Sequence, residues 1–260
     1  MKTKILMVLA SLLILRAPAQ NVVYNFDNLP VYSPLPIYDV QGGIIAQFTA
    51  TGAGYSIQSV TTATVVPVGF SGNFIFPSSV FASDMMVSFS KPLMAFSILY
   101  ASQELACDDS ATMRVTAYMD ATPVGTSTTN STSLCVCTWT ANTLSITTTQ
   151  AFNRVVVNYD AKPPTCADWG PVFLVDNMIV TPMPPVVLTY PIKQANGAFQ
   201  FTFTNTPNWP FTVLGTTNLA LPFSNWTTIT GLTETLPGQF QFVDALATNV
   251  PQRFYRVRSP

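Results

Sequence analysis

The sequence predicts an all-β protein, and three observations support that prediction. Hydrophobic residues make up 48% of the 260 residues and charged residues only 9%, so the chain has ample material for a packed core. Thr, Ser, Val and Phe are abundant, and β-branched and aromatic side chains pack well on a pleated sheet. The apolar runs are short and are interrupted by Gly, Pro, Asn and Asp, without a long helical period. This pattern is typical of an antiparallel β-sandwich or jelly roll.

The first 19 residues have the pattern of an export signal. Lys2 and Lys4 form a basic start, Ile5–Leu15 is apolar, and the A-P-A at residues 17–19 matches a cleavage site. The apolar run is shorter than the roughly 20 residues of a bilayer span, which favours cleavage over an uncleaved anchor. We therefore predict a signal peptide over 1–19 and a mature protein that is secreted or held at the cell surface. No membrane span is expected after cleavage, because no second long apolar segment follows.

The four cysteines, Cys107, Cys135, Cys137 and Cys166, fit this destination. An even number of cysteines in an exported chain predicts disulfide bonds. Cys135 and Cys137 would point to the same face of one strand, where a bridge between them is strained. We expect one of them to pair with Cys107 and the other with Cys166, and the choice stays open. A zinc site is not favoured, because the chain has no histidine and no C-x-x-C spacing.

Residues 20–181 are predicted to form the jelly-roll β-sandwich domain, opened by a strand at Val22–Leu29 and closed by one at Pro171–Val180. The intervening segment with Pro30, Pro34 and Pro36 is expected to be a loop, because proline cannot donate to a central ladder. A short helical turn is the alternative to extended structure at Phe76–Ala82. Further strands are predicted, in chain order, at Ile44–Ala50, Tyr55–Val60, Thr62–Val66, Met85–Phe89, Met94–Tyr100, Thr112–Tyr118, Ser133–Thr138, Thr143–Thr147 and Arg154–Tyr159.

A proline-rich linker over residues 182–186 marks the clearest change in composition. The sequence TPMPP at Thr181–Pro185 favours a semi-rigid extended spacer, which suits a domain boundary. Residues 187–260 then predict a second, smaller β-sandwich of the immunoglobulin or fibronectin-III type. Its strands are predicted at Phe199–Thr204, Phe211–Gly215, Trp226–Thr230, Gln239–Val243 and Phe254–Arg258.

Two stretches resemble modules of known proteins. The tail, with NTPNWPFTVLGTTNLALPFSNW and the closing PQRFYRVRSP, resembles a C-terminal module of large secreted proteins from environmental bacteria; the match covers Pro185–Pro260. This resemblance implies an accessory module for surface association, without known catalytic residues. The first domain resembles jelly-roll modules of extracellular bacterial proteins, including carbohydrate-binding ones, through FDNL at Phe26–Leu29 and VDNM at Val175–Met178.

Asp27 and Asp176 are the predicted metal ligands. The first and last strands of a jelly roll commonly lie together, which would bring the two carboxylates around one cation, and calcium prefers oxygen ligands. In the carbohydrate-binding modules that the domain resembles, a structural calcium is held by acids near the first strand and on the last. The resemblance therefore implies Asp27 and Asp176 as ligands, with Asn28 and Asn177 nearby. The alternative is that both acids cap turns or accept backbone N–H bonds.

A second group of candidate residues lies around the cysteines: Glu104, Asp108, Asp109, Asp168 and Trp169. If Cys107 and Cys166 are both bridged to the Cys135–Cys137 strand, these acids meet at one rim. Close carboxylates raise one another's pKa, as a glycosidase requires, but a solvated acidic loop is the commoner arrangement. Trp169 beside Asp168 suits sugar binding, because an aromatic ring can stack on a sugar while polar groups bind its hydroxyls. Tyr32 and Tyr38 in the proline loop have the same potential.

Several function classes are not favoured by the sequence. Without histidine there is no Ser-His-Asp or Cys-His machinery, and no Gly-rich phosphate loop is present. The acidic balance argues against nucleic acid as a partner. We therefore predict a secreted, non-enzymatic binding or surface-association protein, whose partner is a polysaccharide or a cell-surface or matrix component. It requires no cofactor apart from the calcium considered above. The alternatives are a hydrolase acting through Glu104, Asp109 or Asp168, and a structural envelope or matrix component.

Overall fold

The computed structural model describes residues 20–52, 54–63, 66–77, 83–103, 110–132, 140–161 and 172–259. Within these ranges the chain is built from antiparallel β-strands, and the predicted all-β fold is confirmed. The helical elements in the described part are two short 3-10 turns, Phe223–Asn225 and Ala245–Asn249. No helix among the described residues has the length and apolar character needed to cross a membrane.

The strands follow one another in three sheets. In chain order they are β1 (Val22–Tyr24), β2 (Ile37–Gln41), β3 (Ile44–Ala50), β4 (Tyr55–Ser59), β5 (Asn73–Pro77), β6 (Met85–Gln103), β7 (Ser110–Met119), β8 (Thr122–Thr132), β9 (Thr140–Ala161), β10 (Val172–Pro182), β11 (Thr189–Lys193), β12 (Phe199–Thr204), β13 (Thr212–Thr216), β14 (Thr227–Ile229), β15 (Leu232–Leu236), β16 (Gln239–Asp244) and β17 (Phe254–Arg258).

The first ten strands form one sheet that is folded into two layers by the long strands β6 and β9. The beginning of β6 pairs with the end of β9, and after register shifts around Leu93 the rest of β6 pairs with the beginning of β9. The front layer therefore has the order β2-β3-β6-β9-β7-β8, and the back layer β4-β5-β10-β6-β9. Both layers contribute buried residues to one hydrophobic core, for example Phe48 and Val87 from the front and Phe96 and Val175 from the back.

The predicted pairing of the opening and closing strands is confirmed. β1 runs antiparallel to β10, with Val22 opposite Val180 and Tyr24 opposite Met178. β5 joins β10 at Val175, so β1 and β5 lie on β10 one after the other. Between Val175 and Met178, β10 therefore changes its partner from β5 to β1, two strands that are distant from it in the sequence.

Several strand boundaries differ from the prediction. β2 forms directly after Pro36, within a segment predicted to be loop, and it pairs only with β3 at the edge of the layer. The strand predicted at Thr62–Val66 is not found at its described residues. Thr62 lies in a turn and donates its backbone N–H to the carbonyl of Ser59, whereas residues 64 and 65 lie outside the described part. β6 and β9 each join two segments that were predicted as separate strands. β5 includes Phe76 in extended structure, whereas 78–82 and the strand predicted at Ser133–Thr138 lie outside the described residues.

The C-terminal strands form two small sheets that share a second core. One sheet has the order β11-β12-β16-β15, which corresponds to the A-B-E-D order of an immunoglobulin-type sandwich, and the other is β14-β13-β17. In this core, Phe201 and Phe242 of the first sheet pack with Val213 and Tyr255 of the second. In the FYRVR strand, Tyr255 donates a hydrogen bond to the buried Asp244, which Arg253 also binds at 2.6 Å. Burial opposes ionisation of Asp244, but these bonds lower its pKa below the ordinary value.

Candidate functional site

Most of the residues predicted around the cysteines lie outside the described part of the chain. This applies to the four cysteines themselves and to the five candidate ligand-binding residues Glu104, Asp108, Asp109, Asp168 and Trp169. The disulfide pairing and the acidic rim therefore stay predictions. The two other groups of candidates, Asp27 with Asp176 and Tyr32 with Tyr38, lie within the described ranges.

Alternation along β10 directs Asp176 away from the main core, because its neighbour Val175 lies in that core. Asn177 adopts a positive φ of 47°, a conformation that asparagine tolerates better than most residues, and the register of β10 shifts between Asp176 and Ile179. The Asp176 side chain is completely buried, and its Oδ1 accepts the backbone N–H of Asn177 at 2.7 Å. Its Oδ2 accepts the N–H of Ser71 at 3.0 Å. The D-N pair thus points a carboxylate at the chain that precedes β5.

Asp27 holds the same segment from the other side. It follows β1, is exposed, and accepts the backbone N–H of Asn73 through Oδ1 at 2.8 Å. Its Oδ2 accepts the side-chain N–H of Asn25 at 2.8 Å. Gly72 lies between Ser71 and Asn73, the two residues that donate these backbone hydrogen bonds. Its φ is 60°, and a Cβ at this position would collide with Asp27. We call residues 66–72 the covering loop. Asp176 binds this loop at Ser71, and Asp27 binds Asn73, the residue that directly follows it.

The site offers two carboxylates, but no group of three or more His, Cys, Asp or Glu side chains that could hold a metal ion occurs among the described residues. Burial first, and the charge of Asp27 in addition, raise the pKa of Asp176 to about 6, although the N–H bonds from Ser71 and Asn177 lower it. Within the described ranges no Lys or Arg pairs with either acid, so their charges are compensated only by N–H dipoles. Calcium binds carboxylate and carbonyl oxygens. The two carboxylates would hold the ion, while the backbone N–H contacts of the alternative interpretation are present as well.

The covering loop lies on the outer face of the back layer. Phe70 of the loop and Phe74 of β5 pack edge to face, with ring centroids 5.7 Å apart. Beneath them lies an apolar cross-strand row of Leu174, Ala101 and Ala141. This outer face is therefore a second, small hydrophobic core, and Asp27 and Asp176 fix its cover.

The outer face of the front layer has the opposite character. One cross-strand row runs over five neighbouring strands and consists of aromatic and polar residues: Tyr38, Gln47, Ser88, Arg154 and Tyr118. The adjacent row is entirely core: Ile37, Phe48, Val87, Val155 and Ala117 are all at most 2% exposed. Because successive side chains of a strand point to opposite faces, the first row points outward. Four strand spacings give the row a length of about 19 Å.

Side chains of this outer row contact one another. Gln47 donates an amide N–H to the hydroxyl of Tyr38 at 2.9 Å. At the other end the guanidinium of Arg154 lies over the ring of Tyr118, 4.6 Å from its centroid. Tyr38 is 54% exposed, and the other four side chains are half-buried against their neighbours on the sheet. The row is an ordered surface that presents rings, amide and hydroxyl groups and one cation.

A groove of about 880 Å³ continues the row at the edge of the layer. Gln47 belongs to both features, and the opposite wall of the groove includes Tyr32, Ser56 and Gln58. Tyr32 is 68% exposed, and none of the described residues that line the groove is charged. The groove extends the outer row with one further aromatic ring and with more amide and hydroxyl groups.

Sequence reasoning identified Tyr32 and Tyr38 but missed Gln47, Ser88, Arg154 and Tyr118. The alternation along β3, β6, β7 and β9 indicates that these residues point outward. It does not indicate that they share one row, because that depends on the register between strands.

Comparisons with known proteins leave the family open. No protein-family model matches the chain. No curated protein matches it either. Among solved structures, the Agl-KA catalytic domain is 13% identical over 65% of this chain, which spans 31% of that chain, with a TM-score of 0.33. The K1 cleaved adhesin domain of Lys-gingipain from Porphyromonas gingivalis is 12% identical over 63% of this chain and 98% of that chain, with a TM-score of 0.37. A structure described as CBM4 is 11% identical over 64% and 88%, with a TM-score of 0.20. Similarity this low carries no argument about function.

Proposed function

We propose that the chain is an exported, non-enzymatic protein that binds a polysaccharide along the outer face of its front layer. The observation that carries this proposal is the outer row, which crosses five strands and points away from the core; it consists of Tyr38, Gln47, Ser88, Arg154 and Tyr118. The export signal over residues 1–19 belongs to the proposal and is tested by the N-terminus of the mature protein, which is expected at Gln20.

The chemistry of the outer row suits a sugar chain. A pyranose ring has an apolar C–H face that stacks on an aromatic side chain, while its hydroxyl groups need hydrogen-bond donors and acceptors. The row supplies rings at both ends and amide, hydroxyl and guanidinium groups between them. A carboxylate-based glycosidase needs two facing acids, and the five residues of the row include none. This composition favours binding over cleavage.

The experiment measures binding of the mature protein to a panel of polysaccharides by affinity gel electrophoresis and calorimetry. We expect Tyr38→Ala and Tyr118→Ala each to weaken binding about tenfold. The first removes an exposed stacking ring, and the second removes the ring that positions Arg154. Tyr190→Ala is the matched control, since Tyr190 is 68% exposed on β11 of the C-terminal sheets. Trp169→Ala tests the site predicted from the sequence. Loss of binding in Trp169→Ala alone, or no binding by the parent protein, would overturn the assignment to the front layer.

Calcium has a structural role in this proposal. Asp27 and Asp176 hold the covering loop on the back layer, so bound calcium would stabilise that loop and leave the front face unchanged. We expect millimolar calcium to raise the melting temperature relative to EDTA, and magnesium to do so less. Asp176→Asn should remove the shift. An equal calcium shift in the parent and the variant would show that the ion binds elsewhere.

A further inference from the structure

Arg154 lacks the partners that an arginine in a sheet face usually has. Within the described part of the chain it has no hydrogen-bond acceptor and no carboxylate at ion-pair distance, and its Nε–H is buried without an acceptor. Its recorded contact is the ring of Tyr118. Arginine has five N–H donors, and leaving a buried donor without an acceptor is unfavourable.

The other arginine on this face is arranged differently. Arg114 lies on β7 and forms an ion pair with Asp160 of β9. Asp120, beyond the end of the outer row, accepts a hydrogen bond from the side chain of Asn153 rather than from Arg154. The face therefore holds one neutralised arginine and one whose charge is uncompensated by described residues. Arg154 occupies the fourth of the five positions of the row, between Ser88 and Tyr118.

Stacking on Tyr118 leaves the donor function of Arg154 available. A guanidinium above a ring presents its π face to the ring, while its N–H bonds lie in its own plane and can bind an oxyanion in a bidentate manner. Such charge-assisted bonds are about twice as strong as neutral ones. Ser88 adds a hydroxyl donor beside it.

We infer that the polysaccharide bound by the outer row is acidic, and that Arg154 binds the carboxylate or sulfate group of one of its sugar units. This inference rests on the proposed function and adds the class of ligand. Tyr38, Gln47 and the uncharged edge groove hold the neighbouring, uncharged parts of the chain. Arg154 is half-buried, and an oxyanion would supply the acceptor that its guanidinium lacks among the described residues.

The test compares polysaccharides that differ only in charge. Polygalacturonate is paired with its fully methyl-esterified form, and dextran sulfate with dextran, so that carboxylate and sulfate are tested separately. We expect at least one acidic member to bind about ten- to a hundredfold more tightly than its neutral counterpart, with an affinity that falls as salt increases. Arg154→Gln should abolish this preference, Arg154→Lys should retain only part of it, and the matched variant Arg114→Gln should leave it unchanged.

The outcomes distinguish a failure of the acidic ligand from a failure of polysaccharide binding itself. Equal binding of the charged and neutral members, or an unchanged preference in Arg154→Gln, overturns the acidic ligand. Binding of neutral polysaccharides alone overturns it too, but leaves polysaccharide binding in place. If no polysaccharide of the wider panel binds, the proposed function itself fails. Circular dichroism and the melting temperature of Arg154→Gln show whether a loss of binding reflects unfolding.

Discussion

The outer faces of the two layers differ, although the strands β6 and β9 run through both: the back face is apolar and covered by a loop, and the front face carries polar and aromatic side chains. In the back layer, β6 points Leu99 and Ala101 outward, and the covering loop places Phe70 on them. In the front layer, β6 points Met86 and Ser88 outward, and no described segment packs on the row of Ser88. Along β6, the outward residues thus change from Met86 and Ser88 in the front layer to Leu99 and Ala101 in the back layer.

This difference separates stability from binding. An apolar outer face exposed to water is unfavourable, so the chain contributes a loop to cover it and two acids to hold the loop. An outer face of tyrosines, amides and an arginine is tolerated in water and remains available to a ligand. Changes on the back face should therefore affect folding, whereas changes on the front face should affect binding.

The largest effect is expected from the cover of the back face. Phe74 is 1% exposed and contacts both Phe70 and Phe76, so Phe74→Ala should lower the free energy of unfolding by about 3–5 kcal/mol. Tyr38→Ala, on the open face, should change it by less than about 0.5 kcal/mol. Urea denaturation of both variants measures the difference. A similar loss in the two proteins would mean that the front face is also a packing surface.

The next effect concerns the charge of Asp176. Its pKa is about 6 in the folded protein and 3.8 ordinarily, so between these values the folded protein keeps a proton that the unfolded chain has released. Unfolding then releases a proton, and the free energy of unfolding falls as the pH rises from 4 to 6, by up to about 3 kcal/mol.

This pH dependence is measured by urea denaturation in EDTA, with Asp176→Asn as the comparison. The slope should be absent in the variant. In the parent protein, saturating calcium should weaken or reverse it, because the ion favours the ionised carboxylate. A parent and variant with the same slope in EDTA would mean that Asp176 does not carry the effect.

A smaller loss is expected at Gly72. Its φ of 60° is unfavourable for alanine by roughly 1–2 kcal/mol, and the new Cβ would collide with the Asp27 carboxylate. Gly72→Ala should therefore lower the free energy of unfolding by somewhat more than the unfavourable φ angle alone would. Combined with Asp27→Ala the loss should be less than additive, because the collision is removed. Strict additivity in this double-mutant cycle would show that Asp27 does not press on the covering loop.

The sequence was sufficient for the features that depend on local patterns. Alternation and turn residues predicted β3, β12 and β17 with their observed bounds, and the F-D-N-L and V-D-N-M stretches predicted that β1 meets β10. They also predicted Asp27 and Asp176 as ligands of one cation. In the structure Asp176 accepts the N–H of Ser71 and Asp27 that of Asn73, while the metal site itself stays a prediction. These predictions succeeded because a strand needs only its own pattern and one partner.

The features that failed depend on the arrangement of several strands. The segment that contains β2 was predicted as loop because Pro30, Pro34 and Pro36 precede it. These prolines all lie before Ile37, so the hydrogen bonds between β2 and β3 are intact. Nothing local shows that Arg154 stands beside Ser88 and Tyr118, since three strands must first be in register. The covering loop was missed because its burial comes from Phe70 packing on another strand and not from a period of its own.

The smallest expected effects are the ones that test whether the two faces are independent. Asp176→Asn should change stability but leave polysaccharide affinity within about twofold of the parent, because the acid acts on the back layer. Arg154→Gln should weaken binding and change stability by less than about 1 kcal/mol, because its guanidinium makes no hydrogen bond to the described protein. The changes in unfolding free energy at two sites without shared partners add within about 0.5 kcal/mol, so the double variant should show the sum of both changes. A loss of affinity in Asp176→Asn at full folding would instead couple the covering loop to the binding face through β6, the strand that passes beneath both.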